Sequence, residues 1–280
     1  MSALAMSGKT RKRINKTIII FLDLLVLVIF VFPILWMFLS ALKREEGMFS
    51  MPPKLFFTPT LFNFYNLVER GAMAYFKNSL VASLATVFIA TFIGILAGYG
   101  LARGNFRSKK NLAWWIISTR MAPMVAVILP LYIIFRNLHL LNSLTGLVVG
   151  FTTFTLPFAI WLMMGFFQEI PKELEEAAFV DGASKLQAFM YVALPLVTPG
   201  IVATAVLCFV FAWNDYLFAT VLTSGKTQTL PVVTSALQTM RGIMWGQVMS
   251  MGTLIFVPVL LIGIAIRKYL VRGLTMGAVK

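Results

Sequence analysis

Cysteine and histidine are almost absent from this 280-residue chain, which has one of each, Cys208 and His139. A lone thiol excludes an intramolecular disulfide, and one imidazole with one thiol cannot make a zinc site. Acidic side chains are also scarce, with ten Asp and Glu against 24 Lys and Arg. An intramembrane enzyme would need a nucleophile–base pair or metal ligands, and these few groups make a poor supply. No catalytic or metal-binding residue is therefore expected. Charged residues make up 12% of the chain, where a soluble domain carries about 25%. No repeat at solenoid periods is present.

Apolar residues dominate instead. They form 59% of the chain, and the mean hydropathy is +0.87. Six segments reach the ~20 apolar residues that a spanning helix needs: about Thr17–Ala41, Asn78–Ala102, Leu112–Phe135, Ser143–Phe167, Pro195–Thr223 and Val248–Ile266. The first exceeds the 7–15 residues of a signal-peptide core and ends in Leu-Lys-Arg-Glu-Glu, so it reads as a retained helix. The expected organisation is a basic cytoplasmic N-terminus over residues 1–16 and one all-α transmembrane domain over 17–280. Gly94, Gly98 and Gly100 give the second span a small face for close packing. Pro123, Pro130 and Pro157 should kink their helices.

The net charge of +14 would suggest a nucleic-acid partner in a soluble protein. Here it fits cytoplasmic loops, which concentrate Lys and Arg. With both termini inside, about fifteen basic residues fall on the cytoplasmic side and about eight on the other. The outer loop from about Leu42 to Lys77 carries MPPKLFFTPT, which cannot be a regular helix because proline lacks an amide donor. The outer loop from about Ser224 to Gln247 has room for a short helix.

Ionisable groups within spans are costly and mark function or a partner. Asp23 and Arg120 lie at matched depths, which suggests a salt bridge. The alternative is that Asp23 reaches the interface while Arg120 lines a wet cavity. Trp213, Asn214 and Asp215 suit a sugar path, since amides and carboxylates bind hydroxyls and an indole stacks on a sugar face. An inter-helix hydrogen-bond network explains the same three residues.

The loop between the fourth and fifth spans reads IPKELEEAAFVDGASKLQAFMYVALP. Pro171 suits a first helical turn. Glu173, Glu175 and Glu176 then sit at the positive end of the helix dipole. Leu174, Ala177 and Ala178 share a face, and Gly182 ends the helix or admits a close neighbour. Such a small face fits a groove on another protein. A helix on the membrane surface is the competing reading, but it would want bulkier residues.

This loop resembles the EAA loop of binding-protein-dependent ABC importer permeases. The matching positions are Glu176, Ala177, Ala178, Gly182, Val192, Leu194 and Pro195, with valine where the family usually has isoleucine. LARGNF, FAWNDYLFA and the terminal KYLVRGLTMGAVK are similar to the maltose-permease class, in its shorter six-helix subunit. The resemblance implies the ABC importer type I permease fold in a bacterial inner membrane. It makes residues 171–187 a coupling helix that docks on an ATPase through Glu175, Glu176, Ala177, Ala178, Asp181, Gly182 and Ala183. The implied partners are a second permease, two ATPase subunits carrying ATP and Mg, and a periplasmic or lipid-anchored solute-binding protein. This chain would bind no cofactor itself. Gly8-Lys9-Thr10 and Gly225-Lys226-Thr227 are not P-loops, because Ala3 and Thr220 stand where the first glycine belongs. The solute would be a sugar or sugar derivative, with glycerol-phosphate or another non-sugar solute as the alternative within the family. An ion-gradient carrier would call for inverted repeats and broken helices, which the sequence does not display.

Overall fold

The computed structural model describes residues 8–52, 54–239 and 242–276. The start of the basic segment (1–7), Arg241 and the last four residues of the C-terminal motif lie outside the described residues. The chain is helical, apart from the two-residue strands Gln238–Thr239 and Gly242–Ile243. Its main helices are α1 (Gly8–Ala41), α2 (Ala72–Arg103), α3 (Lys109–Ser118), α4 (Met124–Asn137), α5 (Leu144–Glu169), α6 (Glu173–Val180), α7 (Lys185–Leu196), α8 (Thr198–Trp213) and α9 (Trp245–Met276). Four of these, α1, α2, α5 and α9, contain stretches long and apolar enough to span a membrane. The pairs α3–α4 and α7–α8 are bent by 93° and 70°, and counting each as one span gives six.

The α3–α4 bend falls at Pro123, where a kink was expected, and the breaks around the fifth span correct the expectation of one continuous helix there. Pro123 precedes α4, and Pro195 and Pro199 flank the α7–α8 junction. Each lacks the amide that would continue the ladder. Before that junction Leu194 N–H reaches back to the Phe189 carbonyl, a π-turn that absorbs part of the mismatch. The fifth span also stops earlier than expected, at Trp213, and a separate helix covers Leu217–Leu222. At the other end of the chain α1 starts before Thr17, at Gly8. Its basic first turns contain good helix formers and no proline.

Two compact units divide the chain, one within residues 1–69 and 239–253, the other within 70–238 and 254–280. In the first, α1 is exposed along most of its length, as a lipid-facing helix should be. Its C-terminal carbonyls have no intrahelical partner. The buried Asn63 side chain satisfies Ala41 at 2.9 Å and Lys43 at 2.7 Å. Lys43 is buried too. Its ammonium donates to the Lys54 carbonyl at 2.8 Å and lies 4.8 Å from the rings of both Trp36 and Phe57. The stretch around Pro52 carries no helix, as its prolines required.

The second unit is built on α2 against α5, with α8 packed on both. A Cβ on Gly94 would stand 3.0 Å from Ala159 Cβ, and one on Gly98 would stand 2.7 Å from Met163 Cβ. These two glycines therefore let the backbones approach. Gly100 faces open space and is not part of that face. Phe135, Leu147, Phe151, Phe154, Phe218 and Leu222 fill the core toward one end. Met163, Phe167, Phe189 and Val197 fill it toward the other. The segment before Leu230 is stitched to α2, where Asn78 donates to the Lys226 and Gln228 carbonyls and Ser79 accepts from Leu230 N–H. A short helix, Leu230–Ser235, occupies the loop where one was expected.

The glycine contacts predict a contrast. Gly98→Ala should destabilise the chain by about 1–3 kcal/mol through overpacking. Gly100→Ala should be neutral or slightly stabilising, because alanine is the better helix former. Thermal unfolding in detergent micelles reads both, and equal midpoints would contradict the packing described.

Candidate functional site: the α6–α7 loop and the Arg120 cluster

Local chemistry stops α6 and starts α7 within four residues. Gly182 has φ +88°, which an L side chain adopts only under strain. Its N–H donates to the Phe179 carbonyl at 3.1 Å, and Ala183 N–H donates to Ala178 at 2.9 Å. That pair of bonds is a Schellman turn. Gly182 thus ends the helix, and within this chain nothing approaches its missing side chain. Ser184 then caps α7, accepting from Gln187 N–H while its own N–H donates to Gln187 Oε1. This reciprocal box fixes the entry angle of α7.

Glu175 is the exception on an exposed helix. It is 4% exposed, although the sequence placed it on the docking surface with Glu176. Its Oε1 pairs with Arg103 Nε at 2.6 Å, and its Oε2 accepts from Tyr99 O–H at 2.7 Å. Arg103 Nη2 also donates to the Ile170 carbonyl at 2.8 Å. The Tyr99 ring packs on Phe167 and Phe189, with centroids 5.2 and 4.6 Å away. Three segments, the end of α2, the end of α5 and the start of α6, therefore meet at one carboxylate. Tyr99 and Arg103 stand four apart on α2, so their shared face was legible, but their partner was not.

The remaining loop residues face outward. Glu176, Ala177, Asp181 and Gly182 are exposed, and Ala178 and Ala183 are half-buried. The exposed surface is bulkier than the sequence face suggested. Phe179, Val180, Leu186 and Tyr191 join Leu174 on it, with Val180 88% exposed.

Arg120 occupies the turn Thr119–Met121 at the α3–α4 bend. Its guanidinium lies 4.3 Å from the rings of Phe158 and Phe211. Asp23, the partner suggested by matched depth, belongs to the other compact unit and is exposed on α1. Among the described residues Arg103–Glu175 is the one ion pair. Each ring contact offsets about 0.5–2 kcal/mol, against the roughly 2.5–3.5 kcal/mol that an arginine costs at the centre of a spanning helix. Nη1 is buried without a hydrogen-bond partner.

Trp213 corrects another expectation. Its side chain is fully buried, its Nε1–H donates to the Ile255 carbonyl at 2.9 Å, and it packs on Phe76 and Phe209. No face is left for a sugar. Asp215 Oδ1 accepts from Phe218 and Ala219 N–H, capping helix Leu217–Leu222. Asn214 is exposed and donates to Val210 O. The three neighbours thus separate into a core anchor, a helix cap and a surface amide. Among the described residues no three His, Cys, Asp or Glu side chains gather as metal ligands.

Comparison with known proteins places this geometry among others. The family model described as "Binding-protein-dependent transport system inner membrane component" matches residues 90–276. The trehalose transport system permease protein SugB of Mycobacterium tuberculosis is 36% identical over 267 residues, 92% of this chain and 96% of that protein. The diacetylchitobiose uptake system permease protein DasC of Streptomyces coelicolor is 34% identical over 253 residues, 89% of this chain and 92% of that one. A chain from a bacterial ABC transporter involved in import of the acidic polysaccharide alginate superposes with a TM-score of 0.71 at 21% identity, covering 96% of this chain and 99% of that chain.

The Glu175 network predicts a measurable tether. Breaking a buried ion pair by removing one partner costs about 3–5 kcal/mol, because a charge is left uncompensated. Glu175→Gln should lower hydrogen-exchange protection of the α6 amides by roughly a hundredfold or more. Glu175→Gln with Arg103→Gln should recover part of that loss. Unchanged protection in Glu175→Gln would show that the network holds nothing.

Proposed function

Because this chain belongs to the family of binding-protein-dependent transport system inner membrane components, we propose that it forms half of the translocation pathway of an ATP-driven importer for a sugar or sugar derivative. It is a non-catalytic, multi-pass membrane subunit, and ATP is hydrolysed by partner ATPases. In the proposed arrangement the chain crosses a bacterial inner membrane six times, with α3–α4 and α7–α8 each serving as one bent span. Both termini lie in the cytoplasm, on the side that collects Lys and Arg. The transmembrane domain covers residues 17–280, preceded by the basic segment 1–16.

The observation that carries the mechanism is the exposed α6–α7 loop bonded to α2 through Glu175. Glu176, Ala177, Ala178, Asp181, Gly182 and Ala183, with the exposed Phe179 and Val180, form the surface that docks in a groove of the ATPase. Glu175 has a different part, as the anchor that passes displacement of α6 to α2. A solute-binding protein delivers the solute to the outer face. Closure of the two ATPase subunits moves α6 of this chain and the corresponding loop of a second permease, and the central path opens to the other side. Such a switch requires each ligand to prefer one of two global states. Relatives named for trehalose and diacetylchitobiose support a sugar as the solute.

Co-purification tests this. A tagged chain co-expressed with a second permease should retain an ATPase subunit. Glu176→Lys reverses a charge on the docking surface, and Gly182→Val forces a β-branched residue to positive φ. Both should lower the retained ATPase by about tenfold or more. Absence of any ATPase from the wild-type assembly would contradict the importer reading and favour an ion-gradient carrier.

A further inference from the structure

Arg120 is a cation outside the coupling loop and without an ion-pair partner among the described residues. Phe158 of α5 and Phe211 of α8 cradle it, but they stand edge to face with centroids 5.2 Å apart. With each ring 4.3 Å from the guanidinium, both must lie to one side of it. No carboxylate balances the other side, since Arg103–Glu175 is the ion pair formed among the described residues, and Nη1 has no hydrogen-bond partner. The residue is not sealed in. Arg120 and Phe158 are half-buried, Phe211 is 43% exposed, and Asn214, one turn further along, is exposed.

Two independent requirements converge on this surface. A charged side chain within a span faces protein or water rather than lipid. The α3–α4 bend interrupts the helical backbone at the same place, and irregular backbone at membrane depth is tolerated where it is buried in protein or lines a wet cavity.

We propose that Arg120, Phe158 and Phe211 form a solute subsite that takes an oxyanion carried on a sugar, so that the importer prefers an acidic sugar to a neutral one. This rests on the importer reading given above. The guanidinium offers paired N–H donors in a plane that fits a carboxylate, sulfonate or phosphate group. The two rings hold the cation through their negative faces and present apolar surface to sugar C–H groups. A neutral sugar would supply hydroxyls and leave the charge uncompensated. A carboxylate from the second permease could fill the same place. The partial exposure of the cluster and the broken backbone beside it favour a solute.

The test uses the purified complex of this chain with its second permease and ATPases, without binding protein. Equilibrium binding of labelled galacturonate is compared with that of galactose. Wild type should bind galacturonate at least about tenfold more tightly. Arg120→Gln should abolish that preference, and Arg120→Lys should keep part of it, because the charge remains while the paired donors are lost. Equal wild-type affinities, or a preference unchanged in Arg120→Gln, would overturn the proposal. Release of the second permease by Arg120→Gln would overturn it too, by identifying a partner carboxylate as the occupant. Failure of the importer reading would appear separately, as a complex that holds no ATPase.

Discussion

One buried carboxylate organises the α6 end of the helical bundle. Glu175 is withdrawn from water and bonded through both oxygens, one to Arg103 and one to Tyr99. Taking a carboxylate out of water costs several kcal/mol unless charge and hydrogen bonds replace its hydration. Both are supplied from α2, four residues apart on one helix face. The requirement also works in reverse. Once α6 places Glu175 against α2, the helix cannot lift away without exposing two unsatisfied charges. The Arg103 bond to the Ile170 carbonyl adds the end of α5 to the same junction. A surface helix that would otherwise hang between flexible connections becomes part of the bundle.

That junction matters because the bundle above it is packed closely. Gly94 and Gly98 bring the α2 backbone against Ala159 and Met163 of α5. Close-packed interiors deform little and move as bodies. Displacement delivered at α6 therefore reaches α2 and α5 together. The helical ladder is interrupted elsewhere, at the two bends marked by proline. The α7–α8 bend follows the α6–α7 loop, and the α3–α4 bend carries Arg120. The opposite end is held by different means, with Trp213 anchored to Ile255 and Asp215 capping the next helix.

Much of this was legible in the sequence, and the failures have physical causes. Apolar runs of the right length located the spans, because a bilayer imposes a minimum length. Proline and glycine marked the end of α6 and the capless stretch around Pro52. The fifth span misled, because hydropathy averages across a break, and its apolar run continues past the helix end at Trp213. Pro123 did mark the bend in the third span. Depth along a span matched Arg120 to Asp23, but it carries no information about the rings of Phe158 and Phe211 that flank the guanidinium. Trp213-Asn214-Asp215 read as one polar cluster, whereas neighbours at a helix end point in different directions and met three fates. Glu175 and Glu176 looked alike, and only the fold distinguishes them. One faces Tyr99 and Arg103, while the other faces solvent. Leu174, Ala177 and Ala178 read as a small face, but Phe179, Val180, Leu186 and Tyr191 add exposed bulk that the short motif did not convey.

The central claim is that α6 and α2 move as one body when the ATPases close. The chain has a single cysteine, Cys208, and it is buried, so pairs of introduced cysteines can carry spin labels with little background. Labels at Glu173 on α6 and Phe88 on α2, both exposed, report the distance across the Glu175 junction within the assembled complex. The account predicts the same distance distribution with and without ATP, while the distance from Glu173 to a label on the second permease changes. A shift in the Glu173–Phe88 distance on ATP binding would show that α6 moves independently of α2, and would contradict the account.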